Sequence, residues 1–221
     1  NDIRALLRFG GKPDGSMNGK ALAIRKRGRP KIEGRRQELL EAAARYFCAH
    51  GYDAASMRDI ATAAGILVGS IYHHFPSKEE LFIEVFLEGL RRTKAAVMAA
   101  IDPEADPWTQ LEQACIAHVD KILSADDFVQ IADYEFPFRH SEAVRKRIIP
   151  QRDAYERIFQ NLINRLPLRR GVNKKYLRLA LFGAMSWTLI WYRAGRDAPA
   201  TIAERMVDIV RHGAEPKAEG G

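Results

Sequence analysis

The sequence predicts an all-α fold. Apolar residues recur at three- and four-residue intervals from Arg35 onward, Ser, Asp and Asn stand in front of the periodic segments as N-caps, and no run alternates apolar and polar residues as a strand would. The chain has 221 residues, 47% hydrophobic and 29% charged, a balance that can bury a real core.

Each element follows from local signals. Leu39, Leu40, Ala43, Ala44 and Phe47 give a first helix that stops at Gly51. Ser56 and Asp59 have capping-box spacing ahead of a short second helix that ends at Gly65. Val68 to Phe75 makes a third, closed by Pro76, and Ser77 caps a long fourth running through Leu81, Val85 and Leu90 towards Ile101. Asp106 with Pro107 opens the next helix, Ser141 precedes a segment interrupted at Pro150, and Asn173 starts a strongly apolar helix to Ala194. Pro199 to His212 forms the last, ended by Gly213. The expected organisation is a basic arm over 1–34, a small helical domain over 35–80, a larger one over 81–213 and a tail over 214–221.

Charge separates these parts. Residues 1–36 carry 11 Lys/Arg against 3 Asp/Glu, leaving 24 against 25 for the rest, so the overall +7 belongs to one end and suggests an anionic partner there. Cys48 and Cys115 are far apart and lack ligand spacing to a His pair, which supports neither a disulfide framework nor a zinc site and fits a reducing cytoplasm. His73 and His74 are adjacent on a helix, about 100° apart, and form no metal pair. No cofactor is expected. The charge-free run Leu179 to Tyr192 would span about 21 Å as a helix, short of the roughly 20 residues a bilayer requires, so no membrane partner is expected. Ala21 to Ile24 is too short for the apolar core of a signal peptide.

From spacing alone, Met57 to Phe75 reads as two short helices around a glycine break, a helix-turn-helix layout that other helical proteins also use. The residues add specificity. Gly51-Tyr52-Asp53, Ser56-Met57-Arg58-Asp59-Ile60-Ala61, Ala64-Gly65 and the run Gly69 to Leu81 closely resemble the DNA-binding domain of the TetR family over about Arg35 to Phe86. That resemblance implies a homodimer that places two recognition helices in successive major grooves of a palindromic double-stranded operator. It also implies a C-terminal domain that binds a small-molecule effector, which releases the DNA.

Carried over by position, Val68, Gly69, Ser70 and His73 face the groove, Tyr72 and Lys78 touch phosphates, and Ser56, Met57 and Arg58 complete the DNA-binding set. Gly69 would permit close approach to the bases, Ser70 offers a donor and an acceptor, and Lys78 sits at a helix start that already favours anions. Leu67 departs from the family's polar cap. Either Val68 makes apolar contact with a thymine methyl or Leu67 packs inward. Ile60, Ile71 and Phe75 are expected in the core, and Cys48 as a small core residue. Arg27-Gly28-Arg29-Pro30-Lys31 resembles an AT-hook core, which implies that Arg27 and Arg29 enter an A·T-rich minor groove.

In the larger domain the helix after Asn173 is apolar on nearly every side, so it and the last helix are expected to pair with their copies across a two-fold axis. Phe128, Tyr134, Phe138, Tyr155, Phe159, Trp187 and Trp191 are candidate lining for an effector pocket, with Arg139 and Arg152 at its mouth. Ser186-Trp187-Thr188 with Trp191-Tyr192-Arg193 is similar to TetR-like repressors that sense acyl-coenzyme A thioesters, which implies such an effector; a drug or aromatic compound sensed by a regulator of efflux genes is the alternative. An enzyme is disfavoured by the lack of a phosphate-binding glycine loop or a nucleophile motif. A DNA-packaging protein would bind without sequence preference, and an activator stays open.

Overall fold

A computed structural model describes residues 32–134 and 141–214. Arg27, Arg29, Phe138, Arg139 and most of the 1–34 arm and 214–221 tail lie outside the described residues, as does the side chain of Tyr134. Nine helices account for the described fold: α1 (Ile32–His50), α2 (Met57–Ala63), α3 (Val68–His74), α4 (Lys78–Ala100), α5 (Pro107–Ile122), α6 (Asp127–Tyr134), α7 (Glu142–Arg165), α8 (Lys174–Trp191) and α9 (Pro199–Ala214). No helix among them is long and apolar enough to cross a membrane.

The helix ends sit where local chemistry satisfies orphan backbone groups. Gly51 adopts φ 77° after α1 and donates its N–H to Phe47 O at 2.7 Å. Ser56 accepts the Asp59 N–H at 3.2 Å while donating its hydroxyl to Asp59 Oδ2 at 2.5 Å, a short capping box before α2. Ser77, Asp106, Ser141 and Asn173 each accept a first-turn N–H of α4, α5, α7 and α8. Asp126 receives the Phe128 N–H at 3.2 Å and starts α6.

Three expectations need correction. α1 begins three residues before Arg35, α8 stops at Trp191 rather than Ala194, and α7 runs through Pro150 as one 24-residue helix. Pro150 is exposed, so the carbonyl that its missing N–H leaves unbonded faces water and the break is tolerated.

Two apolar cores are built on α4. The first joins Phe47, Ile60, Ile71, Phe75, Leu81, Phe82 and Phe86 with Phe128, Ile131, Val144 and Ile148 from α6 and the start of α7. It therefore continues past residue 80. The second holds Val97, Leu111, Cys115, Val119, Phe159, Leu162, Leu181 and Met185 with Ala203 and Val207 of α9. The carboxylates of Glu88 and Asp126 bind Arg92, and Asp126 also binds Lys121 at 2.9 Å, which ties α4 to the α5–α6 turn. Arg147 of α7 pairs with Glu80 and Glu84 of α4, and Arg36 of α1 reaches Glu84 at 2.8 Å.

α4 and α6 touch backbone to side at Gly89. A Cβ there would lie far inside contact distance of the Phe128 carbonyl oxygen, in a place where no flexible side chain can yield. Gly89→Ala is expected to lower stability by about 2 kcal/mol, because the forced shift of α6 outweighs the roughly 1 kcal/mol that alanine gains in a helix. Urea unfolding of both proteins checks this.

Candidate nucleic-acid interface and effector site

The turn between α2 and α3 is closed by Gly65, at φ 66°, and by the Ile66 N–H bond to Ala61 O at 3.0 Å. α3 is fastened by one face: Ile71 is fully buried, Phe75 follows it into the core, and Val68 is half-buried against the same cluster. Gly69, Tyr72 and His73 are neighbours at three- and four-residue spacing on the opposite, exposed face, and Ser70 is half-exposed beside them. Nothing lies within 4 Å of a Cβ added at Gly69, so this face is open. Leu67 makes no side-chain cap and is 83% exposed, against the alternative that it packs inward. It belongs with the outward residues, which the absent polar cap alone did not reveal.

The other members of the expected DNA-binding set divide. Arg58 is exposed, and the hydroxyl of Ser56 is engaged in its capping box. Met57 is 7% exposed and packs in the core, so it is corrected from site residue to core residue: as the first residue of α2 it turns back toward Ile60 and Ala61. The Lys78 ammonium donates to Tyr52 O and Ala55 O, both at 2.9 Å, and lies 4.3 Å from the centroid of the Tyr52 ring. Two of its three donors thus lock the α1–α2 loop to the start of α4, and among the described residues no hydrogen bond takes up the third. Burial, with Glu79 and Asp53 nearby, pushes the Tyr52 phenol above its ordinary pKa.

The candidate effector residues that are described do not share one pocket in this structure. Phe128 lies in the first core, with Arg92 4.1 Å over its ring, whereas Tyr155 and Phe159 are buried in the second. Trp187 and Trp191 are exposed on α8 together with Tyr176 and Leu179, and Ile209 is 72% exposed on α9. Arg152 and Arg178 both pair with Glu156. A surface hollow of about 210 Å³ between α7 and α8 is lined by Gln160, Ile163, Asn164, Lys174, Lys175 and Arg178, placing cationic groups along one rim.

Sequence reasoning passed over His118. It stands on the buried stripe of α5 with Ala114, Cys115, Val119 and Ile122, a polar residue in an apolar register, and that register was the available signal. Its Nδ1 lies 2.7 Å from the Tyr155 hydroxyl, and the rings of Tyr155, Phe159 and Phe182 surround it at 5.6–5.8 Å. Burial lowers its pKa to about 4, which keeps it neutral.

Comparison with known proteins agrees with this architecture. The family model described as bacterial regulatory proteins, tetR family, matches residues 39–85, and that of the tetracyclin repressor-like C-terminal domain matches 104–214. The chain is 47% identical over 190 residues to the HTH-type transcriptional repressor KstR2 of Rhodococcus jostii, covering 81% of this chain and 91% of that protein. It is 41% identical over 193 residues to KstR2 of Mycobacterium tuberculosis, covering 82% and 94%. The crystal structure of AibR in complex with isovaleryl coenzyme A and operator DNA superposes with a TM-score of 0.70 at 25% identity, over 79% of this chain and 97% of that one. A helix-turn-helix presented on α3, an all-helical second domain and 41–47% identity to HTH-type repressors over about four fifths of the chain agree: the chain belongs to the tetR family of bacterial regulatory proteins.

Proposed function

We propose that this protein is a ligand-responsive repressor that binds a palindromic operator as a homodimer and leaves it when an acyl-coenzyme A thioester binds the larger domain. The observation that carries the DNA half is the outward face of α3, where Gly69, Tyr72 and His73 stand clear of the fold around a glycine that admits close approach. Leu67 and Val68 supply apolar contact at its start, Ser70 a base-edge or phosphate bond, and Arg58 with the spare Lys78 donor the backbone contacts. Arg27 and Arg29 extend the contact into the adjacent minor groove.

Dimerisation is supported by Tyr176, Leu179, Trp187 and Trp191 on α8 with Ile209 on α9, an exposed apolar face that a second copy would cover. The thioester reading is supported by the likeness to AibR, solved with isovaleryl coenzyme A, and by an aromatic interior beside a cationic rim that suits an acyl chain joined to phosphates. Reaction chemistry has no place in this reading: the protein acts by binding, not as an enzyme.

Three outcomes follow. Gly69→Ala is expected to keep or raise stability by up to about 1 kcal/mol, since alanine favours the helix and meets nothing. Operator affinity of the same variant falls at least about tenfold as the added methyl holds α3 off the bases, read by melting and by titration at fixed salt.

Lys78→Ala behaves differently. It loses about 1–3 kcal/mol of stability with its two carbonyl partners, and its salt slope for DNA drops by about one as the phosphate contact goes. An unchanged slope would leave Lys78 a purely structural clamp.

Isovaleryl-coenzyme A and octanoyl-coenzyme A are expected to bind the free protein more tightly than its operator complex, by the factor by which they weaken operator binding. Calorimetric titration into both forms measures that ratio. Equal affinity would refute release, and no binding would refute the ligand class.

A further inference from the structure

Among the described residues, His118 Nε2 is buried without a hydrogen-bond partner, at the centre of a ring cluster that is otherwise apolar. The imidazole brings into this buried place a nitrogen that no partner satisfies, which costs stability where it stands. The ring's state follows from its one bond. The Tyr155 phenol is the stronger acid of the pair and imidazole nitrogen the stronger base, so the hydroxyl donates to Nδ1 at 2.7 Å. The proton of the neutral imidazole then sits on Nε2, and the orphan is an N–H donor. Among the described residues no cationic side chain joins the ring cluster, and burial holds His118 neutral near a pKa of about 4, so the site has a dipole to offer and no charge.

We propose that His118 Nε2–H is the specificity-determining donor of the effector site, receiving a neutral carbonyl oxygen whose apolar neighbours occupy the space now filled by the edge of the aromatic cluster. Tyr155 is a positioning residue that acts by fixing the tautomer. Phe182 is half-buried, 4.7 Å from the Phe159 ring and 5.6 Å from His118, and is the most exposed ring of the cluster among the described residues. It is the side chain that yields when the ligand enters. This inference rests on the thioester reading only for the identity of the carbonyl; the donor and its cage select any buried neutral acceptor over a hydrocarbon. Selectivity of this kind is large because a ligand without the acceptor leaves the N–H unpaired.

The test uses the full chain with nitrogen-15 in its histidine rings, titrated with octanoyl-coenzyme A and with S-octyl-coenzyme A, the thioether that lacks the carbonyl. The thioester is expected to bind about tenfold more tightly and to move the His118 Nε2 resonance, whereas the thioether leaves that resonance in place. His118→Phe is expected to bind both alike, at the affinity of the thioether for the unaltered chain. Tyr155→Phe, which keeps the imidazole but frees its tautomer, is expected to shrink the preference and serves if His118→Phe fails to fold. Equal binding of thioester and thioether by the unaltered chain, or a preference that survives His118→Phe, overturns the proposal. If neither coenzyme A compound binds, the thioester reading falls by itself, and 2-nonanone against nonane decides the donor: a ketone-specific shift of Nε2 upholds it, and no shift overturns it.

Discussion

The contact between Gly89 of α4 and the Phe128 backbone of α6 is the constraint on which the rest of the molecule depends. Both cores are assembled on α4, one with α1, α2, α3, α6 and the start of α7, the other with α5, α7, α8 and α9. With no side chain at Gly89, α6 lies directly against α4 and brings Phe128 and Ile131 into the same cluster as Phe82 and Phe86. A close-packed interior does not deform smoothly. Repacking of the larger domain against α4 would therefore move that helix as a unit, and its N-cap Ser77 stands two residues after Phe75, the C-cap of α3.

Charge sets the register of that joint more than its strength. Arg147 bridges Glu80 and Glu84, Arg36 reaches Glu84 and lies 4.8 Å over the Phe75 ring, and each ion-pair partner is between 31% and 43% exposed. Pairs so wet contribute at most about 1 kcal/mol apiece. Their geometry nevertheless specifies which turn of α7 meets which turn of α4, and the Glu88–Arg92–Asp126–Lys121 chain does the same for the turn between α5 and α6. Arginine bonds hold the Glu88 carboxyl below its ordinary pKa, first through Arg91 and then through Arg92, so this link persists until the pH falls well into the acid range.

The larger domain differs from the smaller in what it leaves open to partners. Around α3 the exposed groups other than Leu67 and the Tyr72 ring are polar or small, suited to a wet, charged surface. On α8 and α9 they are large and apolar, with Trp187 61% exposed, and inside the same domain His118 Nε2 stands among rings with no hydrogen-bond partner among the described residues. A face that water covers poorly and a buried nitrogen without a partner are both features that binding can resolve.

The sequence by itself determined every described helix except α6, most of their caps and the helix-turn-helix, because those signals are local: Ser56, Ser77, Asp106, Ser141 and Asn173 act within three residues of themselves, and the apolar spacing of Ile71 and Phe75 states which face of α3 is held. It also carried the family motif from Gly51 to Leu81. It did not separate Met57, whose position beside Arg58 suited DNA as well as core, nor show that Lys78 reaches back across more than twenty residues to Tyr52 and Ala55. Candidate effector residues that looked alike as aromatics went to different places: Phe128 to one core, Tyr155 and Phe159 to the other, Trp187 and Trp191 to the surface. Only the tertiary structure decided these, since burial and hydrogen-bond satisfaction depend on which distant segments meet. The spacing along α5 says that His118 points inward, and the packing of α7 and α8 over it leaves one of its two nitrogens without a hydrogen-bond partner among the described residues.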